Sequence, residues 1–235
     1  SPFLMSIALR QSNNWQGGYK TMFFFQLALA IMCFLSIPIW KKVKEQKAED
    51  DETRVVSISE LLRIPIARAS LVIYYGSCAI ESVCLAWGST FLVNSKGLTP
   101  DKAAGMITFY FIGMTLGRFL SGLIANKVSP KKIIVIGESV VLLAVILTFS
   151  KNPLLATVGL FLIGLGNGPV FPNMTHLTPI HMGRDISQSF IGFQGAISYG
   201  SILLSPITFG LLAEKFSTDV FSLFQIFAWI LTAVS

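Results

Sequence analysis

The feature that most constrains this chain is a short basic turn between two long apolar runs. Residues 103–125 are predominantly apolar, residues 126–132 read Asn-Lys-Val-Ser-Pro-Lys-Lys, and a second apolar run occupies residues 133–149. Two long hydrophobic helices joined by so few residues are expected to form an antiparallel hairpin, and lysines at its tip mark one side of a membrane. The pattern therefore predicts a helical membrane protein.

The composition is that of a chain whose solvent is lipid. Of the 235 residues, 53% are hydrophobic and only 13% are charged, and the mean hydropathy is +0.67. A soluble protein of this size could not bury so much apolar surface. The net charge of +6 lies between apolar runs rather than along one face, so nucleic-acid binding is not expected. The cysteines, Cys33, Cys78 and Cys84, have no paired spacing, which predicts neither disulfides nor a metal site.

The apolar runs predict an all-α protein that crosses the membrane several times. A short run at residues 2–9 is interpreted as the end of a helix, and a complete span follows at residues 21–40. At about 1.5 Å per residue, runs of about 20 residues cross a hydrocarbon core of about 30 Å. The last run stops without a closing charge, so truncation at both ends is expected. Six runs follow the first complete span: residues 69–93, 103–125, 133–149, 154–174, 190–213 and 220–235.

The basic residues predict the orientation of these spans. When the loops are assigned to alternating sides, eleven Lys and Arg residues fall on the side of Lys41 and Lys131, and six fall on the side of Lys96. Arg118 lies within a span. An excess of bases marks the cytoplasmic side, so the Lys131 side is predicted to be cytoplasmic.

The basic turn also resembles the signature loop of the major facilitator superfamily. That loop has a glycine, two or three apolar residues, an acid, a base, a glycine and then two bases. Asn126 stands where the family has aspartate, and Ser129-Pro130 replaces the second glycine. The segments 164–172 and 178–184, together with Tyr75, Glu81, Trp87 and Gly88, resemble the fucose-permease-like sugar branch of that superfamily. The residues that fit the loop are Gly122, Leu123, Ala125, Lys127, Lys131 and Lys132.

The resemblance implies a domain organisation. Residues 1–40 correspond to the end of the N-terminal half (part of span five, then span six), and residues 41–68 correspond to the cytoplasmic central loop. Residues 69–235 correspond to the C-terminal six-helix bundle, spans seven to twelve, with the last one truncated. The fold expected is thus a six-helix half-bundle preceded by about one and a half helices. Within the central loop, Ser57 precedes Glu60 by three residues and predicts a capping box.

The resemblance also implies a function. It predicts a secondary active transporter that moves a small polar solute, a sugar by resemblance, by alternating access about a site near the middle of the membrane. The partners expected are this solute, the lipid bilayer and the missing N-terminal half, in a multi-pass protein of the plasma membrane. No cofactor is expected, and coupling to protons is left open.

Glu81 is the strongest candidate for a functional residue. It lies thirteen residues after Arg68 and fifteen before Lys96, which places it near the middle of its span. A carboxylate at that depth costs roughly 2.5 kcal/mol or more unless it faces water, protein or a partner. A polar, small-residue stripe shares its helix face and suits a cavity wall: Tyr74, Ser77, Cys84 and Gly88. The alternative is a buried hydrogen bond between helices.

Four other residues are candidates for solute contacts. Trp87 is interpreted as a stacking platform for a sugar or as a core- or lipid-facing side chain. Asn167, followed by Gly168-Pro169, marks a point where a helix can bend and offer free backbone groups, and a simple hinge is favoured slightly. Gln194 and Ser198 begin a polar stripe that continues to Ser201, Ser205 and Thr208 and suits cavity lining and helix packing equally.

The loop resemblance implies a cytoplasmic gate. Its members are Arg118, Gly122, Asn126, Lys127, Lys131 and Lys132. Arg118 can extend its long side chain towards the basic turn. Glu138, about two turns inside the same end of its span, is expected to pair with Arg118 or a loop lysine.

Two other classes of function remain as alternatives. An intramembrane enzyme needs a nucleophile and a base at matching depth, but the sequence contains neither GxSxG nor HExxH. A scaffold or receptor that does not transport is compatible with the same apolar pattern. It is distinguished by a closed helix bundle in place of a polar central cavity.

Overall fold

The computed structural model of the protein describes residues 15–48 and 56–233, and within these residues the only regular structure is helical. This confirms the all-α prediction. The expectation for residues 2–9 lies outside the described residues. The helices, in chain order, are α1 Trp15–Ala48, α2 Ile58–Leu61, α3 Pro65–Asn94, α4 Pro100–Ile124, α5 Pro130–Thr148, α6 Pro153–Asn167, α7 Val170–Met182, α8 Arg184–Phe216 and α9 Val220–Ala233.

The chain divides into two compact units, residues 1–52 and 53–235. In the first unit, α1 contains an apolar stretch, Phe23–Trp40, long enough to cross a membrane. The predicted span, residues 21–40, contains this stretch, and the helix continues beyond the span at both ends into segments predicted to be loops. Lys, Glu, Gln and Ala after Trp40 are strong helix formers, so nothing in the sequence ends the helix where the apolar run ends.

In the second unit, proline residues define where the long helices begin. Pro65, Pro100, Pro130 and Pro153 each occupy the first position of a helix, where a missing N–H costs nothing and the fixed φ is already helical. The helices therefore begin one to four residues before the apolar runs do. The predicted N-cap before α2 is confirmed, because the Ser57 side chain accepts a hydrogen bond from the Glu60 N–H at 3.4 Å.

Helix α6 is the axis of one side of the bundle. It packs against both α4 and α5, and glycines permit the close approach. A Cβ on Gly113 or Gly117 would overlap the carbonyl groups of Phe161 and Leu165, respectively. The predicted hairpin is therefore modified: α4 and α5 are joined by a short turn, but each packs more extensively on α6 than on the other. Small residues at such contacts are the usual basis of helix packing in lipid.

Helix α3 organises the other side of the bundle, where it packs against α8 and α9. The rings of Phe91 and Phe221 stack with centroids 4.3 Å apart, and both side chains are fully buried. In the described residues, five stretches are long and apolar enough to cross a membrane. Many large apolar side chains on their outer faces are exposed, such as Phe119 on α4 and Leu203 on α8, which lipid would cover. These features confirm an all-α membrane fold.

Candidate solute-binding site

The two opposite charges near the middle of the bundle form an ion pair. The carboxylate Oε2 of Glu81, on α3, lies 3.7 Å from Nη2 of Arg118, on α4. The side chains remain 27% and 48% exposed, respectively, so both charges are accessible from outside the bundle. Arg118 also donates from Nε to the Gly168 carbonyl oxygen at 3.3 Å. Arg118 thus joins a carboxylate on α3 to a backbone acceptor between α6 and α7.

The Gly168 carbonyl has no helical partner because Pro172, four residues later, has no N–H to donate to it. Helix α6 ends at Asn167 and α7 begins at Val170, and Gly168-Pro169 lies between them. Proline has no N–H to donate and disrupts the regular helical pattern. The break supports the hinge interpretation of Asn167, and the buried Gly168 carbonyl, which accepts from Arg118, is the backbone group that the sequence suggested at this position.

Asn167 fixes this break against α3 by a reciprocal pair of hydrogen bonds. Its Nδ2 donates to the Ser77 carbonyl oxygen at 3.0 Å, and its Oδ1 accepts from the Ser77 hydroxyl at 2.8 Å. Both side chains are buried, so Asn167 acts here in positioning rather than facing an open surface. We call Ser77, Glu81, Arg118, Asn167 and Gly168 the polar junction.

The other residues on the Glu81 face do not form a cavity wall, contrary to the expectation from helical spacing. Tyr74 Oη bonds to Thr175 Oγ1 at 2.6 Å, and Cys84 Sγ accepts from Gln225 Nε2 at 3.3 Å. These side chains are buried against neighbouring helices. Of the predicted stripe, only Glu81 is partly exposed. The other members are buried because they pack against the helices that surround α3.

Trp87 lies in a different place from Glu81. Its indole Nε1 donates to the Pro206 carbonyl oxygen at 3.0 Å, and its ring packs edge-on against Phe209. It lines an open groove of about 670 Å³ between α3 and α8, together with Asn94 and Glu214. The structure therefore does not bring Trp87 and the ion pair into one pocket.

Gln194 and Ser198 have interior positions. The Gln194 amide nitrogen donates to the Ser70 and Thr178 hydroxyls at 2.9 and 3.0 Å, and only 1% of the residue is exposed. Ser198 donates to the backbone oxygen of Gln194 at 2.8 Å. These bonds connect α8 to α3 and α7, which supports the packing interpretation of this stripe over cavity lining.

The predicted gate residues separate into two groups. Arg118 belongs to the polar junction, whereas Asn126, Lys127, Lys131 and Lys132 are exposed at the α4–α5 turn. Gly122 is exposed, and a Cβ built on it meets no atom within 4 Å. The second unit alone therefore supplies no partner that requires a glycine at this position.

The expectation that Glu138 pairs with Arg118 or a loop lysine is wrong. Its Oε2 accepts a hydrogen bond from Thr232 Oγ1 at 2.8 Å, and its backbone oxygen accepts from Trp229 Nε1 at 2.8 Å. Only 7% of the residue is exposed, and Oε1 has no hydrogen-bond partner among the described residues. Glu138 faces α9, while Arg118 extends towards α3.

Sequence reasoning missed the backbone groups that complete these contacts. The Gly168 carbonyl accepts from Arg118, and the Pro206 carbonyl accepts from Trp87. Every residue has a backbone carbonyl, so the pattern of side chains does not indicate which carbonyls take part. Proline gave an indirect signal only for Gly168, since Pro172 lacks the N–H that would bond to the carbonyl four residues before it.

The fold and the junction define a class of protein: a polytopic helical membrane protein with opposite charges at a break in one of its spans. The family model described as Major Facilitator Superfamily matches residues 1–206. This chain belongs to that superfamily, as the basic turn suggested.

Three transporters from bacteria are similar in sequence to parts of this chain. A glucose/mannose transporter from Bacillus subtilis is 25% identical over 55% of this chain and 32% of its own length. A putative glucose/galactose transporter from Helicobacter pylori is 24% identical over 85% of this chain and 47% of its own length. A probable sulfoacetate transporter from Cupriavidus necator is 24% identical over 57% of this chain and 33% of its own length. The matched part of the chain thus spans about a third to a half of each relative.

Proposed function

We propose that the full-length protein is a secondary transporter that moves a sugar across the membrane by alternating access. The polar junction would form part of the wall of a central cavity. The observation that carries the proposal is the Glu81–Arg118 pair, because both charges lie within spans and remain partly exposed. Charges inside a membrane are costly and are usually retained for a functional reason.

The sugar assignment is supported by the chemistry of the junction and by the relatives. A partly exposed carboxylate and a partly exposed guanidinium offer both acceptors and donors for hydroxyl groups. Relatives named for transport of glucose, mannose and galactose match this chain over 55% and 85% of its length. The same superfamily match supports a transporter over a scaffold or an intramembrane enzyme.

The proposed architecture assigns the second unit to the C-terminal half of a twelve-span transporter in the plasma membrane, with the first half supplied by the same protein. The chain alone would then lack half of the cavity wall and would not transport. The Lys131 end would face the cytoplasm, which single-cysteine labelling from outside intact cells can test. Strong labelling at Lys131→Cys would contradict this orientation.

The experiment that tests the function is uptake of radiolabelled hexoses by the full-length protein in proteoliposomes. Saturable uptake of glucose, galactose or mannose is expected, and Glu81→Ala is expected to reduce it by at least about tenfold because neither charge nor hydrogen bond remains. Glu138→Ala serves as the matched control, judged per folded molecule. Equal activity of wild type and Glu81→Ala at equal folded yield would exclude Glu81 from the site.

Proton coupling is a second proposal about the same residue. A carboxylate near the middle of the membrane can carry a proton, whereas the amide of Glu81→Gln cannot. If coupling depends on Glu81, this variant would exchange internal for external sugar but would lose uptake driven by a pH gradient. Retention of gradient-driven uptake in Glu81→Gln would assign coupling to another residue.

A further inference from the structure

The described spans contain few charges, and their arrangement determines the electrostatic potential of the proposed cavity wall. Among the described residues of the second unit, Glu81, Arg118 and Glu138 are the Asp, Glu, Lys and Arg side chains that lie away from the helix ends. Glu138 is buried against α9 and bonded to Thr232. The accessible charge therefore comes from Glu81 and Arg118, which are 27% and 48% exposed.

Arg118 without Glu81 would be a strong anion site. A guanidinium has five N–H donors and recognises carboxylates and sulfonates through paired hydrogen bonds. One of its donors, Nε, already bonds to the Gly168 carbonyl, which holds the group in place beside the helix break. Nη2 instead points towards the Glu81 carboxylate at 3.7 Å. Because both groups remain partly exposed, a solute hydroxyl can approach them.

We propose that Glu81 is a specificity-determining residue that cancels the charge of Arg118 and restricts the site to uncharged polyols. This inference rests on the proposed function, and it adds that the acid sets charge selectivity as well as contacting the solute. Because opposite charges attract and like charges repel, removing one partner converts a neutral site into a site that favours solutes of the opposite charge to the one that remains.

The test compares three pyranoses of similar shape: neutral glucose, anionic glucuronate and cationic glucosamine. Their dissociation constants are measured with purified full-length wild type, Glu81→Gln, Arg118→Gln and the double variant. Glu81→Gln is expected to shift the affinity ratio of glucuronate to glucose by at least about tenfold towards glucuronate, which is about 1.4 kcal/mol. Arg118→Gln is expected to shift selectivity towards glucosamine, and the double variant, again neutral, to return to glucose.

Glu138→Gln is the matched control, since it also removes a carboxylate from a span. It is expected to leave all three ratios within about twofold of wild type, a difference below about 0.5 kcal/mol. Unchanged ratios in both Glu81→Gln and Arg118→Gln would overturn the proposal, as would an equal shift in Glu138→Gln. The two single variants are expected to shift selectivity towards solutes of opposite charge. Either variant alone, if it folds, therefore tests the proposal.

A second readout does not depend on the solute. Leu85, one turn from Glu81 on α3, is 43% exposed, and Leu85→Cys can be modified with thiosulfonate reagents of either charge after Cys33, Cys78 and Cys84 are replaced. Adding Glu81→Gln is expected to raise the rate ratio of the anionic to the cationic reagent by at least about fivefold. An unchanged rate ratio would overturn the proposal that Glu81 cancels the charge of Arg118. Failure of every sugar to bind, with this ratio still shifted, would reject the sugar assignment alone.

Discussion

Among the described residues, two carboxylates lie well inside the spans, away from the helix ends, and their surroundings differ. Glu81 is 27% exposed and lies 3.7 Å from a guanidinium nitrogen. Glu138 is 7% exposed, accepts one hydrogen bond from a threonine hydroxyl, and has a second oxygen with no hydrogen-bond partner among the described residues. The same residue type therefore occurs once beside an opposite charge at an accessible surface and once among neutral groups in the interior.

The difference teaches that depth in the membrane does not by itself identify a functional acid. A buried acid with neutral neighbours can serve packing, and Glu138 connects α5 to α9 through Thr232 and Trp229. An acid that pairs with an accessible base can exchange its partner for a solute. Substitutions at Glu138 should therefore act mainly on stability, and substitutions at Glu81 mainly on transport.

The largest expected effect comes from the helix framework that holds the ion pair. Gly117→Leu would place a side chain against the Leu165 carbonyl, separate α4 from α6 and move Arg118 away from Gly168. We expect a loss of several kcal/mol, of the order seen for overpacked cores, and little folded protein on size-exclusion chromatography. Gly122→Leu, on the same helix in open space, is the control. Equal folded yields of Gly117→Leu and Gly122→Leu would show that the close contact between α4 and α6 at Gly117 is not the framework that positions Arg118.

A smaller effect is expected from the Glu138 side of the comparison. Thr232→Val keeps the shape of the side chain but removes the donor to Glu138. The expected loss is about 1 kcal/mol, since membrane hydrogen bonds contribute from about 0.6 to about 1.7 kcal/mol. Thermal unfolding in detergent measures it, with the exposed Thr208→Val as control. A stability equal to wild type would mean that Glu138 does not depend on Thr232.

For Glu81, the comparison predicts little loss of stability. An ion pair between partly exposed side chains contributes about 0–1 kcal/mol, so Glu81→Gln should unfold within about 1 kcal/mol of wild type while its solute selectivity changes. The same unfolding assay applies. A loss of several kcal/mol would contradict the division between the two acids, because Glu81 would then be a structural residue as well.

The smallest expected effect concerns Asn126, which is exposed at the α4–α5 turn. Asn126→Asp restores the family aspartate and should change stability by no more than about 0.5 kcal/mol, as for most surface substitutions. If the turn takes part in a cytoplasmic gate, the new charge should strengthen pairing with a base and lower the accessibility of the cytoplasmic side to thiol reagents. Unchanged accessibility would exclude the turn from the gate.

The sequence predicted the fold well because each long helix carries its own signals. Apolar runs located the spans, but the predicted starts of α3, α4, α5 and α6 were one to four residues late, because each helix begins at a proline that precedes its apolar run. The pattern could not show that α6 packs between α4 and α5, since that depends on glycines whose fit is three-dimensional. It also could not find the end of α1, where polar helix formers continue past Trp40.

The candidate site was predicted only in part. The cost of a charge in a membrane directed attention to Glu81 as a residue that needs a partner, whereas Arg118 was expected to extend towards the basic turn and instead pairs with Glu81. Their mutual pairing was not predicted, because they lie 37 positions apart, on two helices. Gln194 matched a cavity stripe by spacing alone, yet its amide is satisfied by Ser70 and Thr178. Periodicity identifies a shared face but does not tell what that face contacts.

The most direct test of the account is protection of cysteines beside the two acids by the solute. In a full-length protein without its native cysteines, Leu85→Cys reports on the Glu81 side, and Ser139→Cys, also exposed and adjacent to Glu138, reports on the other. Saturating hexose is expected to slow thiol modification at Leu85→Cys at least about fivefold, because a bound solute excludes the reagent, and to leave Ser139→Cys unchanged. Protection at Ser139→Cys alone would contradict the assignment of the solute site to the polar junction.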